Sequence, residues 1–213
     1  KAQQGLITLG GGQRSAAEQG PPQAVIDQLI GLYRQGQSQA IVSQTHELTA
    51  QYPRSFILWN ILGVANKSLG NIAEATNAFM KVTQYNPHYA DGYSNLGVAL
   101  GDQGQLDEAI AAYKKAIQLK PGFFEAYNNM GTALRRKGSI EECIKSYNKA
   151  IALKPDYIEA YNNLGVAIAK SGKLEEAIAA YTKALAIKPD YAEAYYNMGI
   201  ALKNQGKLAE AIE

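Results

Sequence analysis

Five of the seven prolines, Pro53, Pro87, Pro121, Pro155 and Pro189, follow one another at a constant step of 34 residues. Six glycines keep the same step: Gly36, Gly70, Gly104, Gly138, Gly172 and Gly206. A second glycine series, Gly63, Gly97, Gly131, Gly165 and Gly199, lies seven residues before the later members of the first. Chance does not place sixteen punctuating residues on one grid. The chain is an array of one supersecondary unit, and such arrays bury their core by stacking neighbours rather than by closing one globule.

The unit reads helix, turn, helix, turn. In residues 158–191, Tyr161, Leu164, Gly165 and Ile168 recur at the spacing of one helical stripe. Gly172 supplies the left-handed conformation that ends this helix without a Cβ penalty. Leu174, Ala177, Ile178, Tyr181, Ala184 and Leu185 form the stripe of a second helix. Pro189 stops it, since proline lacks an N–H and turns Lys188 away from helical angles. Asp190 with Glu193, Asp156 with Glu159, and Ser139 with Glu142 fit capping boxes that would restart a helix. Gly165 and Ala177 are expected to face each other across the hairpin, where small residues admit close backbones.

The order of an aromatic, Leu-Gly, Ala, aromatic, Ala and Pro resembles the tetratricopeptide repeat family. In residues 158–191 these are Tyr161, Leu164-Gly165, Ala177, Tyr181, Ala184 and Pro189. In residues 56–89 they are Trp59, Leu62-Gly63, Ala75, Phe79, Val82 in place of Ala, and Pro87. The resemblance spans residues 22–213. It implies an all-α, right-handed α-solenoid of stacked antiparallel helix hairpins whose first helices line the concave side. The units fall at 22–55, an atypical capping repeat, then 56–89, 90–123, 124–157, 158–191, and an incomplete repeat at 192–213. Residues 1–21 are Gly- and Gln-rich, off the grid, and expected to be a flexible leader. In residues 22–55, Gln28-Leu29 replaces Leu-Gly and Ile41 replaces Ala.

Counting each unit from residues 56, 90, 124, 158 and 192, position 6 holds Ile61, Asn95, Asn129, Asn163 and Asn197. Asparagine offers two donors and an acceptor, so a ladder of amides can pair with the backbone of an extended peptide. Position 5 adds Asn60, Asn128 and Asn162, and position 9 adds an apolar strip including Val98 and Val166. The Tyr-x-Asn-Leu/Met-Gly wording is similar to the repeat region of O-linked N-acetylglucosamine transferases, where such asparagines hold the substrate peptide. It is similar too to the repeat arrays of bacterial sulfotransferases. Position 2 carries Asp91, Glu125, Glu159 and Glu193, while positions 12 and 13 carry Lys67, Arg135, Arg136, Lys170 and Lys203. Most of this pattern complements the helix macrodipole. The remainder leaves Arg135, Arg136 and Lys170 to attract an acidic segment. Clamp-type repeat domains that grip a C-terminal carboxylate need lysine at position 5, which this chain lacks.

Composition narrows the function. Twenty-one basic and 19 acidic residues leave a net +2, which gives no electrostatic footprint for nucleic acid. No run of about 18 apolar residues suggests membrane insertion. One cysteine, Cys143, sits at a small-residue packing position and cannot pair internally, which places the chain in a reducing compartment such as the cytoplasm. Neither His46 nor His88 has a partner in view, and no catalytic constellation, metal-ligand cluster or cofactor motif is discernible.

Three functions fit these residues. The first is a non-catalytic module whose partner is a protein or peptide held in the concave groove. The second is the substrate-recognition region of a larger transferase, with a catalytic domain after Glu213. The third is a self-associating scaffold, pairing through Leu202, Leu208 and Ile212 of the incomplete repeat or through Leu6-Ile7-Thr8-Leu9 of the leader.

Overall fold

The turn glycines set the architecture. Gly138, at φ 91°, occupies the left-handed region that a side chain disfavours, and there its N–H meets the carbonyl of Arg135. The same conformation recurs at Gly36, Gly70, Gly104, Gly172 and Gly206, with φ from 72° to 79°. The turns from Gly36 to Gly172 reverse the chain, so that one helix folds back on the next.

The computed structural model describes residues 20–206. Among them are eleven helices and no strand: α1 (Gln23–Arg34), α2 (Ser38–Gln51), α3 (Phe56–Ser68), α4 (Ile72–Tyr85), α5 (Ala90–Asp102), α6 (Leu106–Leu119), α7 (Phe124–Lys137), α8 (Ile140–Leu153), α9 (Ile158–Lys170), α10 (Leu174–Ile187) and α11 (Ala192–Asn204). The expected all-α solenoid is what the chain forms. Each odd-numbered helix from α1 to α9 packs on the even-numbered helix that follows it, and each hairpin packs on the odd helix of the next unit. The odd helices of neighbouring units also touch one another, as α5 touches α7, α7 touches α9, and α9 touches α11. The even helices mainly contact the odd helices flanking them. The odd helices therefore lie on the inside of the curve and form its concave wall.

The helix starts differ from expectation. The residues at the starts of α9 and α11 are Tyr157 and Tyr191, so Asp156 and Asp190 stand one residue too early to cap them. Ser139 does stand at the start of α8, yet its side chain makes no capping bond. The chain instead enters α9 and α11 through backbone turns, with Tyr157 N–H donating to Lys154 C=O at 3.1 Å and Tyr191 N–H to Lys188 C=O at 3.2 Å. Ser55 is a side-chain cap, accepting from the Leu58 N–H at 3.5 Å at the start of α3.

The small residues inside the odd helices make room for rings. A Cβ on Gly165 would lie 2.5 Å from Tyr181, so the group facing that glycine is the Tyr181 ring rather than Ala177. Gly63 meets Phe79, Gly97 meets Tyr113, and Gly131 meets Tyr147 in the same way. Tyr147, Tyr181 and Phe79 are among the most deeply buried side chains. One continuous core runs from Ala75 to Ala201, and Cys143 sits fully buried within it.

The first hairpin inverts this arrangement. Leu29 stands where the others have glycine, and Thr45 where they have an aromatic ring; both are fully buried. A larger residue on one helix is matched by a smaller one on the other, with the Thr45 hydroxyl left unpartnered. This hairpin shares with α3 a separate core of Ile26, Leu29, Ile41, Tyr52, Leu58 and Ala65. Helix α1 packs less closely on α2 than the helices of any later hairpin pack on each other.

Candidate functional site: the concave wall

The period puts Asn95, Asn129, Asn163 and Asn197 on α5, α7, α9 and α11, all half-buried along the inner wall. Three of these amides are partly committed to neighbouring units. Asn95 Nδ2 donates to Asn60 Oδ1 at 3.0 Å, Asn163 Nδ2 to Asn128 Oδ1 at 3.1 Å, and Asn197 Nδ2 to Asn162 Oδ1 at 2.9 Å. The ladder is thus first a set of latches between units. Each latched amide keeps one N–H and its oxygen for other use.

Position 5 does not face the groove as expected. Asn128 and Asn162 are 6% and 1% exposed, wedged between successive odd helices. Asn162 also donates to Glu193 Oε1 at 3.1 Å, and the Tyr191 hydroxyl donates to Glu193 Oε2 at 2.9 Å. Of the position 5 amides, Asn60 stays half-exposed, at the edge of a recess of about 190 Å³ lined by Leu29, Ile30, Tyr33, Ile61 and Val64.

Asn129 is the exception among the rungs. The residue before it in the ladder is Ser94, too short to meet it, and Asn129 Oδ1 instead accepts from Asn128 Nδ2 at 3.4 Å. No bond from the Asn129 Nδ2 forms among the described residues. Its side chain borders a recess of about 150 Å³ between α5 and α7, with Val98, Asp102, Tyr113, Thr132 and Arg136. Arg136 closes one side by donating from Nη1 to the Gly101 carbonyl at 2.6 Å. A Cβ at Gly101 would lie 3.9 Å from the guanidinium, an ordinary contact, so the bond is made to the backbone and does not depend on glycine. Arg136 and Thr132 carry chemistry that the sequence reading did not place at a recess. The signal for it is the arginine at position 13, which stands 35 residues after a backbone carbonyl near the end of the preceding odd helix.

Below the rungs lie the buried phenols. The Tyr147 hydroxyl shares a 3.1 Å hydrogen bond with Thr132 Oγ1, and burial raises its pKa against the opposing pull of Thr132 and Arg135. Burial pushes Tyr181 up to about 12 and the Cys143 thiol up to about 11, with Arg135 opposing both shifts and Lys170 that of Cys143. These groups are neutral at physiological pH and serve as floor rather than as reactive chemistry. Val98 and Val166 are half-buried on the wall, Arg135 is half-buried, and Lys170 is exposed.

Family models of the tetratricopeptide repeat (TPR) match residues 57–89, 78–111, 99–138, 131–172 and 169–206. The chain belongs to the TPR family. Among solved structures, TPR architecture recurs in a crystal structure of MamA protein at 30% identity, with a TM-score of 0.65 over 74% of this chain and 86% of that one. YrrB, described as a TPR protein with an unusual peptide-binding site, is 21% identical with a TM-score of 0.67 over 79% and 87%. The APC/C hetero-tetramer Cut9-Hcn1 gives 21% and 0.73, covering 86% of this chain and 36% of that one. The likeness to the latter two is one of fold alone. No curated protein matches the sequence.

The TPR wall also revises the candidate surface for self-association. Leu202 is 7% exposed and packs inward. Leu208 and Ile212, and the leader segment Leu6 to Leu9, lie outside the described residues. The exposed apolar side chains of α11 are instead Tyr195, Tyr196 and Ile200. No helix among the described residues is long and apolar enough to cross a membrane.

Proposed function

We propose that the chain is a non-catalytic interaction module that docks an extended segment of a partner protein along its concave wall. The observation carrying this reading is the recess at Asn129. There an amide on the inner wall keeps its donors free beside the half-buried Val98 and the fixed guanidinium of Arg136. Asn129 would donate to a peptide carbonyl, and Val98 would receive an apolar side chain. The remaining N–H and oxygen of Asn95, Asn163 and Asn197 would add further backbone contacts. YrrB, a protein of the same fold, is described as having a peptide-binding site, which agrees with peptide as the class of guest.

The test is a peptide array probed with the purified protein, followed by affinities for the best binders. Asn129→Ala should weaken them by about tenfold or more, the worth of one or two hydrogen bonds to a desolvated backbone. Asn148→Ala, on the outer helix α8, should leave them unchanged. Equal losses from both variants, or none from Asn129→Ala, would refute the assignment. The larger-transferase reading uses the same groove and rests on the Tyr-x-Asn-Leu/Met-Gly wording, in which Tyr161, Asn163, Leu164 and Gly165 take part. Determining the coding sequence beyond Glu213 separates it from a free-standing module.

A further inference from the structure

Successive odd helices meet in a fixed register. The bonded pairs Asn60–Asn95, Asn128–Asn163, Asn162–Asn197 and Gly101–Arg136 are each separated by 35 residues. Lys67–Asp102, an ion pair at 3.8 Å, keeps the same separation. A residue at position 12 of one unit therefore faces position 13 of the next, near the last turn of the two helices.

The four such junctions differ in chemistry. The first is a neutralised pair, Lys67 with Asp102. At the second, Arg136 is satisfied by the Gly101 carbonyl. At the fourth, the register sets Ala169 against Asn204. The third sets Arg135 against Lys170, two cations. Both lie close enough to Cys143 to oppose the upward shift of its thiol. Neither has a carboxylate within 4.0 Å among the described residues, and Arg135 Nε is buried without a partner. An array that neutralises one junction and hydrogen-bonds the arginine of the next leaves this one with two cations and no carboxylate within 4.0 Å among the described residues.

We propose that the Arg135–Lys170 junction is an anion station of the groove, filled by an aspartate or glutamate side chain of the docked segment; this rests on the peptide-docking reading above. With Nε shut away from the groove, the Nη groups of the guanidinium can donate to a carboxylate while the Lys170 ammonium supplies a point charge from the next unit. A single carboxylate suits the station better than a run of phosphates. Asp91, Glu125, Glu159 and Glu193 stand at the first turns of the same helices, where a polyanion lying along the wall would meet repulsion.

Two measurements test it. Fluorescein-labelled decapeptides of glycine and serine with one central Glu, or with one central Gln, are titrated against the intact protein. The Glu peptide should bind about tenfold tighter, with the preference lost at high salt and in Arg135→Gln/Lys170→Gln. Lys170→Asp, which rebuilds the Lys67–Asp102 arrangement at this junction, should abolish the preference while the helical circular dichroism and Tm stay close to those of the parent, so that lost binding cannot be ascribed to unfolding. A preference that is absent, or that survives the double substitution, overturns the station. So does a preference that survives Lys170→Asp in protein of unchanged helicity. If both peptides bind equally and both weaken in Asn129→Ala, the docking reading stands and the station falls. If neither binds, both fall.

Discussion

A methyl group on Gly131 would sit 2.7 Å from the Tyr147 ring, inside any tolerable contact. Gly131→Ala should therefore destabilise the protein by about 1–3 kcal/mol, the usual cost of overpacking a filled core. Urea denaturation measures it, and Tyr147→Leu placed in the same background should recover part of the loss. A cost below that of an ordinary surface substitution would mean the ring moves aside freely. The first hairpin shows the exchange already made, with Leu29 and Thr45 in the two places. This pairing was half legible. The glycine grid announces itself because a left-handed turn or a close approach admits few residue types. The partner across the hairpin was misread as Ala177, because periodicity reports which face a residue occupies and not how far a tyrosine on that face extends.

Between elements, the asparagines divide into two kinds that the sequence presents as one. Asn163 on α9 bonds the buried Asn128 on α7, so Asn163→Ala strands an acceptor that is cut off from water. The expected loss is about 1–2 kcal/mol of stability. Asn129→Ala gives up only the longer 3.4 Å bond from Asn128 Nδ2 and should lower the melting temperature by less. Thermal denaturation of the two single variants side by side checks this, and equal melting temperatures would contradict the latch. Position 6 was readable from the period of 34, but the availability of each rung depends on the residue 35 places earlier, Asn60, Ser94, Asn128 or Asn162 in turn. Helix starts were misread for a similar reason. Asp156 and Asp190 fit a motif by spacing, yet the helices begin at Ile158 and Ala192, one residue too late for those carboxylates to cap them.

Across the whole molecule, the shared core ties stability to alkaline pH. Cys143, Tyr113, Tyr147 and Tyr181 all belong to the cluster that spans the later units, and burial raises the pKa of each. In the unfolded chain a thiol titrates near about 8.5 and a phenol near about 10. A group whose pKa is raised by folding contributes fully below its unfolded value and loses that contribution as pH climbs toward the folded value. The melting temperature should therefore stay level through neutral pH, begin to fall near pH 9 as the unfolded thiol ionises, and fall more steeply above about pH 10. Cys143→Ala should remove the early part of the decline and leave the later part. A melting temperature undiminished at pH 11.5 would show that these phenols reach water in the folded state.

The 35-residue register has a consequence for how such an array can change over time. Positions 12 and 13 meet only where two hairpins adjoin, so the pair facing the trough is decided by which hairpin follows which. Permuting whole hairpins would leave each glycine beside its own ring and each turn intact, while redrawing the sequence of charges offered to a guest. Selectivity in this molecule can thus be rewritten by reordering modules, without altering a single side chain.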